Sequence, residues 1–482
     1  MSGEANGAPR RESGLPLELD GAQATTLAAG VLARVLAHLE SLPRQAAADV
    51  EGAAEIAHQL IEREPPEHGA AGHDLLDVLF DRAIPKSFNT AGPGYLAYIP
   101  GGGLFSSAVA ALIADAVNRY VGVYAAAPAL TQLETNVVRW FARIAGLPSD
   151  AGGVLTTGGS LAGFSAVVAA RHGLGEAFQD GVLYASDEVH HSVAKAASLA
   201  GFPARAVRIV PTDAEFRVRL DALSAAIAED RSRGLRPCML VGNAGSTNTG
   251  AVDDLAALAE IAARERLWFH VDAAYGGFFL LTERGRATLK GIERADSIAL
   301  DPHKGLFLPY GVGCLLVRDV ETLRRSHGSG GDYLPDMQAD PDDVDFCEIS
   351  PELSRGFRGL RVWLPIKLHG LAAFRQALDE KLDLAAWAAA QLAAIPEIEI
   401  LTPPQLSLVA FRHRAPGRSP AERDTFNRRL LAEVNARQRV HLSGATIRGA
   451  FALRICVLSF RTHRDRVEAA IEDLEAAIAA AS

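Results

Sequence analysis

The chain has 482 residues, of which 49% are hydrophobic and 22% charged, as in an ordinary soluble globular protein with one large core and one or two smaller units. The formal net charge is −10 and the charges are interspersed, so neither nucleic acid nor a membrane is expected as the main partner. The four cysteines lie far apart without a CxxC pair, so neither a zinc site nor a disulfide framework is indicated, and a reducing cytoplasm is expected.

The N-terminal part of the chain predicts a helical arm over residues 1–88. Residues 1 to about 15 have nothing to bury and predict disorder, and they lack the apolar core of a signal peptide. No later run reaches membrane-spanning length without polar interruption. Asp20 then caps a long Ala/Leu helix, and helical patterning continues to about Ile84. We expect this arm to serve dimerisation.

A large α/β domain is predicted over residues 89–368. It opens with AGPGYLAYIPGGG, a loop rich in Gly and Pro of a kind that often lines pockets, although ordinary turns have the same composition. From Gly153, short apolar runs alternate with helical patterns: VLTT, VLYAS, AVRIV, CMLVGNAG, LWFHVDAA, SIALDPHK and CLLVRD. This alternation predicts a mostly parallel, doubly wound sheet with helices on both faces.

Polar segments close several of these runs, and ligands bind such sheets beyond the C-terminal ends of the strands. We therefore expect five of these segments to converge on one crevice, namely TTGGS, SDEVHHS, NAGSTNTG, HVDAAYGG and DPHKG. The Gly- and Asp-rich segment 327–346 predicts a mobile loop. Residues 369–482 predict a small α+β domain, with strand-like LSLVAF, RVHLSGA and FALRICVLSF among helices.

Lys304 follows the apolar run SIAL, where an ammonium group needs either a nearby carboxylate or a chemical role. A lysine amine can form a Schiff base with an aldehyde such as pyridoxal phosphate (PLP). Most lysines after strands simply reach solvent, so other residues must support this hypothesis. Gly159 and Ser160 open a helix after VLTT, where backbone amides could hold a phosphate, although a tight turn would have the same sequence.

Asp272 ends the run LWFHVD, where a carboxylate could keep a pyridinium nitrogen protonated while Ala274 packs against the ring. An ordinary strand-end cap is the alternative. His190 could stack over a planar cofactor, and His303 could donate to its phosphate, although each could be structural. Thr247 offers a hydroxyl to the same crevice, although an ordinary Ser/Thr turn would have the same sequence.

These segments resemble the group II PLP-dependent decarboxylases, the family of aromatic L-amino acid decarboxylase and glutamate decarboxylase. The family's motifs are present as HVDAAYGG, PHK and SDEVHHSV. The similarity covers roughly residues 92–370. It implies the fold type I (aspartate aminotransferase-like) architecture, a PLP cofactor, an amino acid substrate and a homodimer with active sites at the subunit interface.

The resemblance also implies a role for each matched residue. Lys304 carries the cofactor, Asp272 pairs with the ring nitrogen and His190 stacks on the ring. Gly159, Ser160 and His303 hold the phosphate, and the hydroxyl of Thr247 lies near the cofactor and its aspartate. Tyr333, in the 327–346 loop, protonates Cα after carbon dioxide leaves. Tyr98, Ile99 and Pro100 lie near the substrate side chain, which favours an aromatic substrate.

Three departures from the family leave the substrate open. Gly305 replaces a bulky Trp, Ala127 replaces a Ser, and Gly101 replaces a polar pocket residue. Three alternatives also remain. One is an aminotransferase on the same fold, in which Arg454 grips the substrate carboxylate. The others are an aldehyde synthase and a catalytically silent homologue that acts by binding.

Overall fold

The structure, a computed structural model, describes residues 15–328 and 343–481. The predictions made for residues 1–14 and for Tyr333 lie outside the described residues. Within the described ranges, no helix combines the length and apolar character needed to cross a membrane.

The described chain begins with the predicted helical arm. Helix α1 (Gly21–Ser41) starts after Asp20, whose side chain accepts the backbone N–H groups of Ala22 and Gln23, as predicted. No residue of α1 is buried in the single chain. Beyond α1, the predicted helical pattern breaks into shorter elements, which are α2 (Ala53–Gln59), α3 (Gly72–Asp77) and a π-helix (Val78–Ala83).

Helices and strands then alternate, as predicted. The helices are α4 (Phe105–Val117), α5 (Pro128–Ile144), α6 (Gly159–His172), α7 (Ser192–Leu199), α8 (Leu220–Ser232), α9 (Leu255–Glu265), α10 (Glu283–Thr288), α11 (Pro302–Gly305) and α12 (Val320–His327). The strands are β1 (Gly152–Thr156), β2 (Gly181–Ser186), β3 (Val207–Val210), β4 (Arg236–Asn243), β5 (Trp268–Ala273), β6 (Ser297–Leu300) and β7 (Gly313–Val317).

The seven strands form one sheet in the order β1-β7-β6-β5-β4-β2-β3. Strand β7 runs antiparallel to β1 and β6, and all other neighbours are parallel. The prediction of a mostly parallel sheet is therefore confirmed. Because β1, β2, β4, β5 and β6 point the same way, the polar segments that follow them leave the sheet at one edge.

Both faces of this sheet are apolar. In β7, Cys314 and Leu316 pack into the core on one face, whereas Leu315 and Val317 pack into the core on the other. Successive side chains of a strand point to opposite faces, so a continuous apolar run requires helices on both sides. This is the doubly wound arrangement that the sequence predicts.

The C-terminal part follows α13 (Arg358–Ala394), which is interrupted at Gly370, where φ is 71°. A four-stranded antiparallel sheet has the order β10-β11-β9-β8. Its elements are β8 (Ile398–Thr402), β9 (Leu408–His413), α14 (Pro420–Ala436), β10 (Ser443–Ile447), β11 (Ala450–Cys456) and α15 (Arg464–Ala481). The domain boundaries at residues 88 and 368 stay predictions.

Two details of the smaller sheet differ from the sequence-based prediction. Strand β8 was not predicted, because it is an edge strand that buries only its first and last residues and so shows little periodicity. The run RVHLSGA predicted a strand from Arg439, but β10 begins at Ser443. Strand ends are set by long-range pairing, which local patterns do not report.

A buried ion pair ties the start of α13 to the large sheet. The side chains of Glu134 on α5 and Arg355 are fully buried, with Oε1 and Nη2 2.6 Å apart. Arg355 also donates to the carbonyl oxygen of Leu155 in β1 at 2.9 Å, and Glu134 accepts the N–H of Gly359 at 3.0 Å. The pair therefore joins α5, β1 and α13 close to the edge where the polar segments meet.

Replacing Glu134 by alanine is expected to lower the free energy of unfolding by about 3–5 kcal/mol, because the guanidinium group of Arg355 would stay buried without a counter-charge. Urea denaturation followed by circular dichroism measures this loss. The control is Glu468→Ala, which removes an exposed pair with Arg464 and should cost less than about 1 kcal/mol. Equal losses in the two variants would contradict the argument.

Candidate active site

A cavity of about 310 Å³ lies at the edge where the parallel strands end. All the predicted cofactor-binding residues line it. Gly159, Ser160 and His190 follow β1 and β2, and Thr247 follows β4. The remaining wall comes from the ends of β5 and β6 and carries Asp272, Ala274, His303 and Lys304. The sheet topology thus brings together residues that are far apart in sequence.

The amine of Lys304 is paired with Asp301. Its Nζ lies 2.8 Å from Oδ2 of Asp301, whose side chain is almost completely buried. The sequence predicts that the Lys304 ammonium needs either a nearby carboxylate or a chemical role and that Asp272 pairs with the cofactor ring nitrogen, but it does not single out Asp301 as that carboxylate. A signal for Asp301 was present, because Pro302 starts a helical turn and places residues three apart on one face. The second carboxylate oxygen of Asp301, Oδ1, is buried and has no hydrogen-bond partner among the described residues.

The start of α6 forms an open cradle beside this pair. The residue before the helix is Gly158, so no side chain caps the first-turn N–H groups, and these groups can face an anion. A Cβ atom at Gly159 would lie 3.0 Å from the Cβ of Ala274 and 3.2 Å from Oδ2 of Asp301. A side chain at this position would fill the cradle. The helix of 14 residues also has its positive dipole end here.

Asp272 lies at the end of β5 with its carboxylate on the cavity wall. Its Oδ1 accepts the backbone N–H of Ala274 at 3.2 Å, which fixes the carboxylate beside that small side chain. Two residues earlier on the strand, burial lowers the pKa of His270 to about 4, and its Nδ1 lies 2.8 Å from Oγ of Ser297. A neutral imidazole behind Asp272 leaves the carboxylate free to pair with a cation in the cavity.

His190 is a half-buried side chain on the cavity wall. Burial lowers its pKa, and the charges of His191 and Lys304 act in the same direction, whereas Asp272 and Asp301 oppose the shift. Its Nδ1 lies 2.8 Å from Oγ of Ser192 and accepts the backbone N–H of Ser192 at 3.3 Å. A backbone N–H can only donate, so the hydrogen of the neutral ring is on Nε2.

His303 has the opposite arrangement. Its Nδ1 lies 2.7 Å from the carbonyl oxygen of Val312, which only accepts, so Nδ1 carries a hydrogen. Burial lowers the pKa of His303, although Asp301 at 3.7 Å opposes this effect. His303 can therefore donate from Nε2 only as the imidazolium, a form that a neighbouring phosphate would favour.

The predicted substrate-side residues do not line the cavity in the single chain. Ile99 and Pro100 are buried, whereas the Tyr98 side chain is 53% exposed. Tyr98 has a φ of 52°, which is rare for a residue other than glycine, and its N–H donates to Oγ of Ser443 at 2.9 Å. The substrate role of these three residues stays a prediction.

Arg454 is not presented to the cavity, contrary to what the aminotransferase alternative requires. Its side chain is buried and donates to Oγ of Ser443 at 3.0 Å and to the carbonyl oxygens of Asn248 at 2.9 Å, Tyr98 at 3.4 Å and Thr247. These contacts occupy four of the five donor N–H groups of a guanidinium. Arg454 therefore holds backbone segments together.

The three departures from the family have packing explanations. Gly305 is buried beneath Phe278, and a Cβ at Gly305 would lie 2.7 Å from the Cβ of Phe278. Phe278 thus occupies the space beside residue 305, and Gly305 does not line the cavity. A Cβ at Gly101 would overlap the carbonyl oxygen of His303, and Ala127 lies in a small apolar cluster.

A Gly305→Ala substitution is expected to lower the free energy of unfolding by about 1–3 kcal/mol, because the new methyl group would push against Phe278. Thermal denaturation measures the effect. The matched control is Gly163→Ala in α6, where a Cβ meets no atom within 4 Å. There we expect no loss, because alanine favours the helix. A stable Gly305→Ala protein would show that Phe278 moves aside at little cost.

Comparison with known proteins identifies clear relatives. Residues 57–414 match the pyridoxal-dependent decarboxylase conserved domain. An aromatic-L-amino-acid decarboxylase of Bacillus atrophaeus is 35% identical over 430 residues, or 88% of each chain. Tryptophan decarboxylase 1 of Oryza sativa subsp. japonica is 31% identical over 434 residues, or 85% of this chain and 84% of that protein. The crystal structure of Oryza sativa TDC with PLP and tryptamine has a TM-score of 0.92 and 26% identity, over 97% of this chain and 100% of that chain.

Proposed function

The chain belongs to the pyridoxal-dependent decarboxylase family, and on this premise we propose that its substrate is an aromatic L-amino acid, which it converts to the amine and carbon dioxide. The protein is thus a PLP-dependent amino acid decarboxylase. The observation that carries the proposal is the convergence of Lys304, Asp272 and the Gly159 cradle on one cavity in a chain with this family membership.

The residues of the cavity fit PLP. The amine of Lys304 suits the aldehyde, the open helix start at Gly159 and Ser160 suits the phosphate, and the carboxylate of Asp272 suits the ring nitrogen. Ala274 offers a small apolar surface beside Asp272 for a flat ring. When bound, PLP accepts the electron pair of the bond that breaks at the amino acid Cα.

The residues of this chain have separate tasks in the proposal. Asp272 would hold a proton on the ring nitrogen, His190 would pack on the ring face as a neutral imidazole, and Thr247 would offer its hydroxyl to the cofactor and to Asp272. Lys304 would hold the cofactor through its amine, and the same amine would supply the nucleophile that displaces the amine product. His303 completes the phosphate site as the imidazolium.

Proton delivery to Cα is assigned to Tyr333, with His190 nearby. This assignment rests on the resemblance of GGDYL to the tyrosine-bearing loop of the family. The neutral Nε2–H form of His190 supports a role as a neighbouring donor, because that hydrogen is not used in the contact with Ser192.

An aromatic substrate is supported by two observations. The relatives are named for aromatic amino acids, and the solved rice structure contains tryptamine. In this chain, Tyr98 has a strained backbone and an exposed ring beside the carbonyl that Arg454 holds. Strained backbone positions cluster at active sites and ligand-binding segments. Ile99 and Pro100 extend the same apolar segment.

We also propose a cytoplasmic homodimer with active sites at the subunit interface. Helix α1 has no buried residue in the single chain, and it exposes the side chains of Leu27, Val31, Leu32 and Leu36. A cluster of exposed apolar side chains on one helix is typical of a surface that a partner covers. The four cysteines are all free and buried, which suits a reducing compartment.

The direct test is a panel of L-amino acids incubated with the PLP-loaded protein, with carbon dioxide, amine, aldehyde and keto acid all measured. We expect equal amounts of amine and carbon dioxide from an aromatic amino acid. Preference for an acidic amino acid would overturn the substrate class. Aldehyde as the main product would contradict the role of Tyr333, and a keto acid would indicate transamination.

A further inference from the structure

The segment between β4 and α9 carries Thr247 to the cavity wall. This segment, residues 244–250, turns back on itself, with the N–H of Gly250 donating to the carbonyl oxygen of Ser246 at 3.0 Å. The base of the segment is fixed by backbone contacts, since Ala244 pairs with Val252 and the N–H of Ser246 donates to the carbonyl oxygen of Ala251 at 2.8 Å. Thr247 lies beyond these contacts, at the turn, so its direction depends on the groups that hold the turn.

One side of the turn is held by Glu188. Its Oε2 accepts the hydroxyl of Thr249 at 3.1 Å and lies 3.5 Å from the hydroxyl of Ser246, and these two hydroxyl oxygens are 2.6 Å apart. Thr249 and Ser246 are buried, and burial raises the pKa of Glu188, while the hydroxyl hydrogen bonds act against this shift. Glu188 is two residues before His190, so this cluster connects the segment of His190 to the segment of Thr247.

The other side of the turn is held by Arg454. Its guanidinium group donates to the carbonyl oxygens of Thr247 and Asn248, the two residues between Ser246 and Thr249. The same group reaches the carbonyl oxygen of Tyr98 at 3.4 Å. The carboxylate of Glu188 therefore holds the hydroxyl groups of the turn, and the guanidinium group of Arg454 holds its carbonyl groups.

We propose that Glu188 is a positioning residue. It acts with Thr249 and Arg454 to direct Thr247 at the cofactor and to fix the position of Thr247 relative to His190. The proposal rests on the proposed function, since it needs PLP in this cavity. Glu188 and Thr249 do not line the cavity, so they act through the turn and not by contact with the cofactor.

The test uses the holoenzyme and a matched pair of variants, Thr249→Val and Thr249→Ser. Valine keeps the shape of the side chain but removes the hydroxyl, whereas serine retains it. We expect Thr249→Val to release PLP about tenfold faster on dialysis, as the loss of a hydrogen bond to a charged group implies. We also expect weaker visible circular dichroism of its bound cofactor. Thr249→Ser should resemble the wild type in both measurements.

A second variant keeps the proposal testable if Thr249→Val does not fold. Glu188→Gln preserves the size of the side chain and removes its charge, and it should also release PLP faster than the wild type. Thr425→Val, on the exposed surface of α14, controls for loss of a threonine hydroxyl far from the cavity. Melting temperatures separate a general loss of stability from a change at the cofactor.

The outcomes distinguish this proposal from the proposed function. A wild-type protein that does not bind PLP would refute the proposed function, whatever the variants do. Binding of PLP by the wild type, with wild-type release rates and dichroism in every folded variant at positions 249 and 188, would overturn the positioning role alone.

Discussion

Replacement of Lys304 by alanine is expected to abolish the visible absorbance of lysine-bound PLP and to lower decarboxylation by at least about four orders of magnitude. The amine of Lys304 is the only lysine amine on the cavity wall in the described part of the chain, and it lies 2.8 Å from Asp301. No neighbouring group can replace a primary amine in a covalent bond to an aldehyde. Absorbance spectra and amine release measure the two effects.

Lys290→Ala is the matched control, because this lysine is exposed and does not line the cavity. It should leave both the spectrum and the activity unchanged. The alanine at position 304 would leave Asp301 buried without its cation, so folding must be checked by far-ultraviolet circular dichroism. A folded Lys304→Ala protein that retains the visible band would show that another group carries the cofactor.

Replacement of Asp272 by asparagine is expected to lower the decarboxylation rate by about 10²–10³-fold, because an amide cannot stabilise a positive charge on the ring nitrogen as a carboxylate does. Asparagine has nearly the same shape, and its side-chain oxygen can still accept the N–H of Ala274. The cavity wall should therefore persist while the electrostatic effect is lost. Rate measurements with saturating PLP separate the lost chemistry from weaker binding.

The control for this substitution is Asp150→Asn, an exposed aspartate outside the cavity, which should behave as the wild type. The visible spectrum of bound PLP should shift in Asp272→Asn and stay unchanged in the control, since it depends on the protonation of the ring. If Asp272→Asn keeps wild-type activity and spectrum, the ring nitrogen has a different partner.

Much of the fold could be predicted from local patterns. Alternation of apolar runs with helical segments indicates where β1 to β7 lie along the chain and that most of them are parallel, because parallel strands need a crossover connection, usually a helix. The helix start at Asp20 is equally local, since a cap involves residues within one turn. Strand β8 could not be predicted in this way, because an edge strand with two buried residues is defined by pairing with β9 and hardly by its own periodicity.

By itself the sequence determined which strand-end segments with predicted cofactor-binding residues meet at the cavity. The direction of each strand assigns the segments of Gly159, His190, Asp272 and Lys304 to one edge of the sheet, and this follows from topology without any side-chain geometry. The resemblance of these segments then pointed to the family that the comparisons show.

Only the tertiary structure decided the partners of these side chains. It pairs Lys304 with Asp301, turns the guanidinium of Arg454 to backbone carbonyls, and places Phe278 over Gly305. Each of these contacts depends on the rotamer of a side chain. The pair of Lys304 and Asp301 lies within one turn, whereas the other two contacts join segments that are distant in sequence. Periodicity reports the face on which a residue lies, whereas the atom that it contacts is decided by close packing in three dimensions.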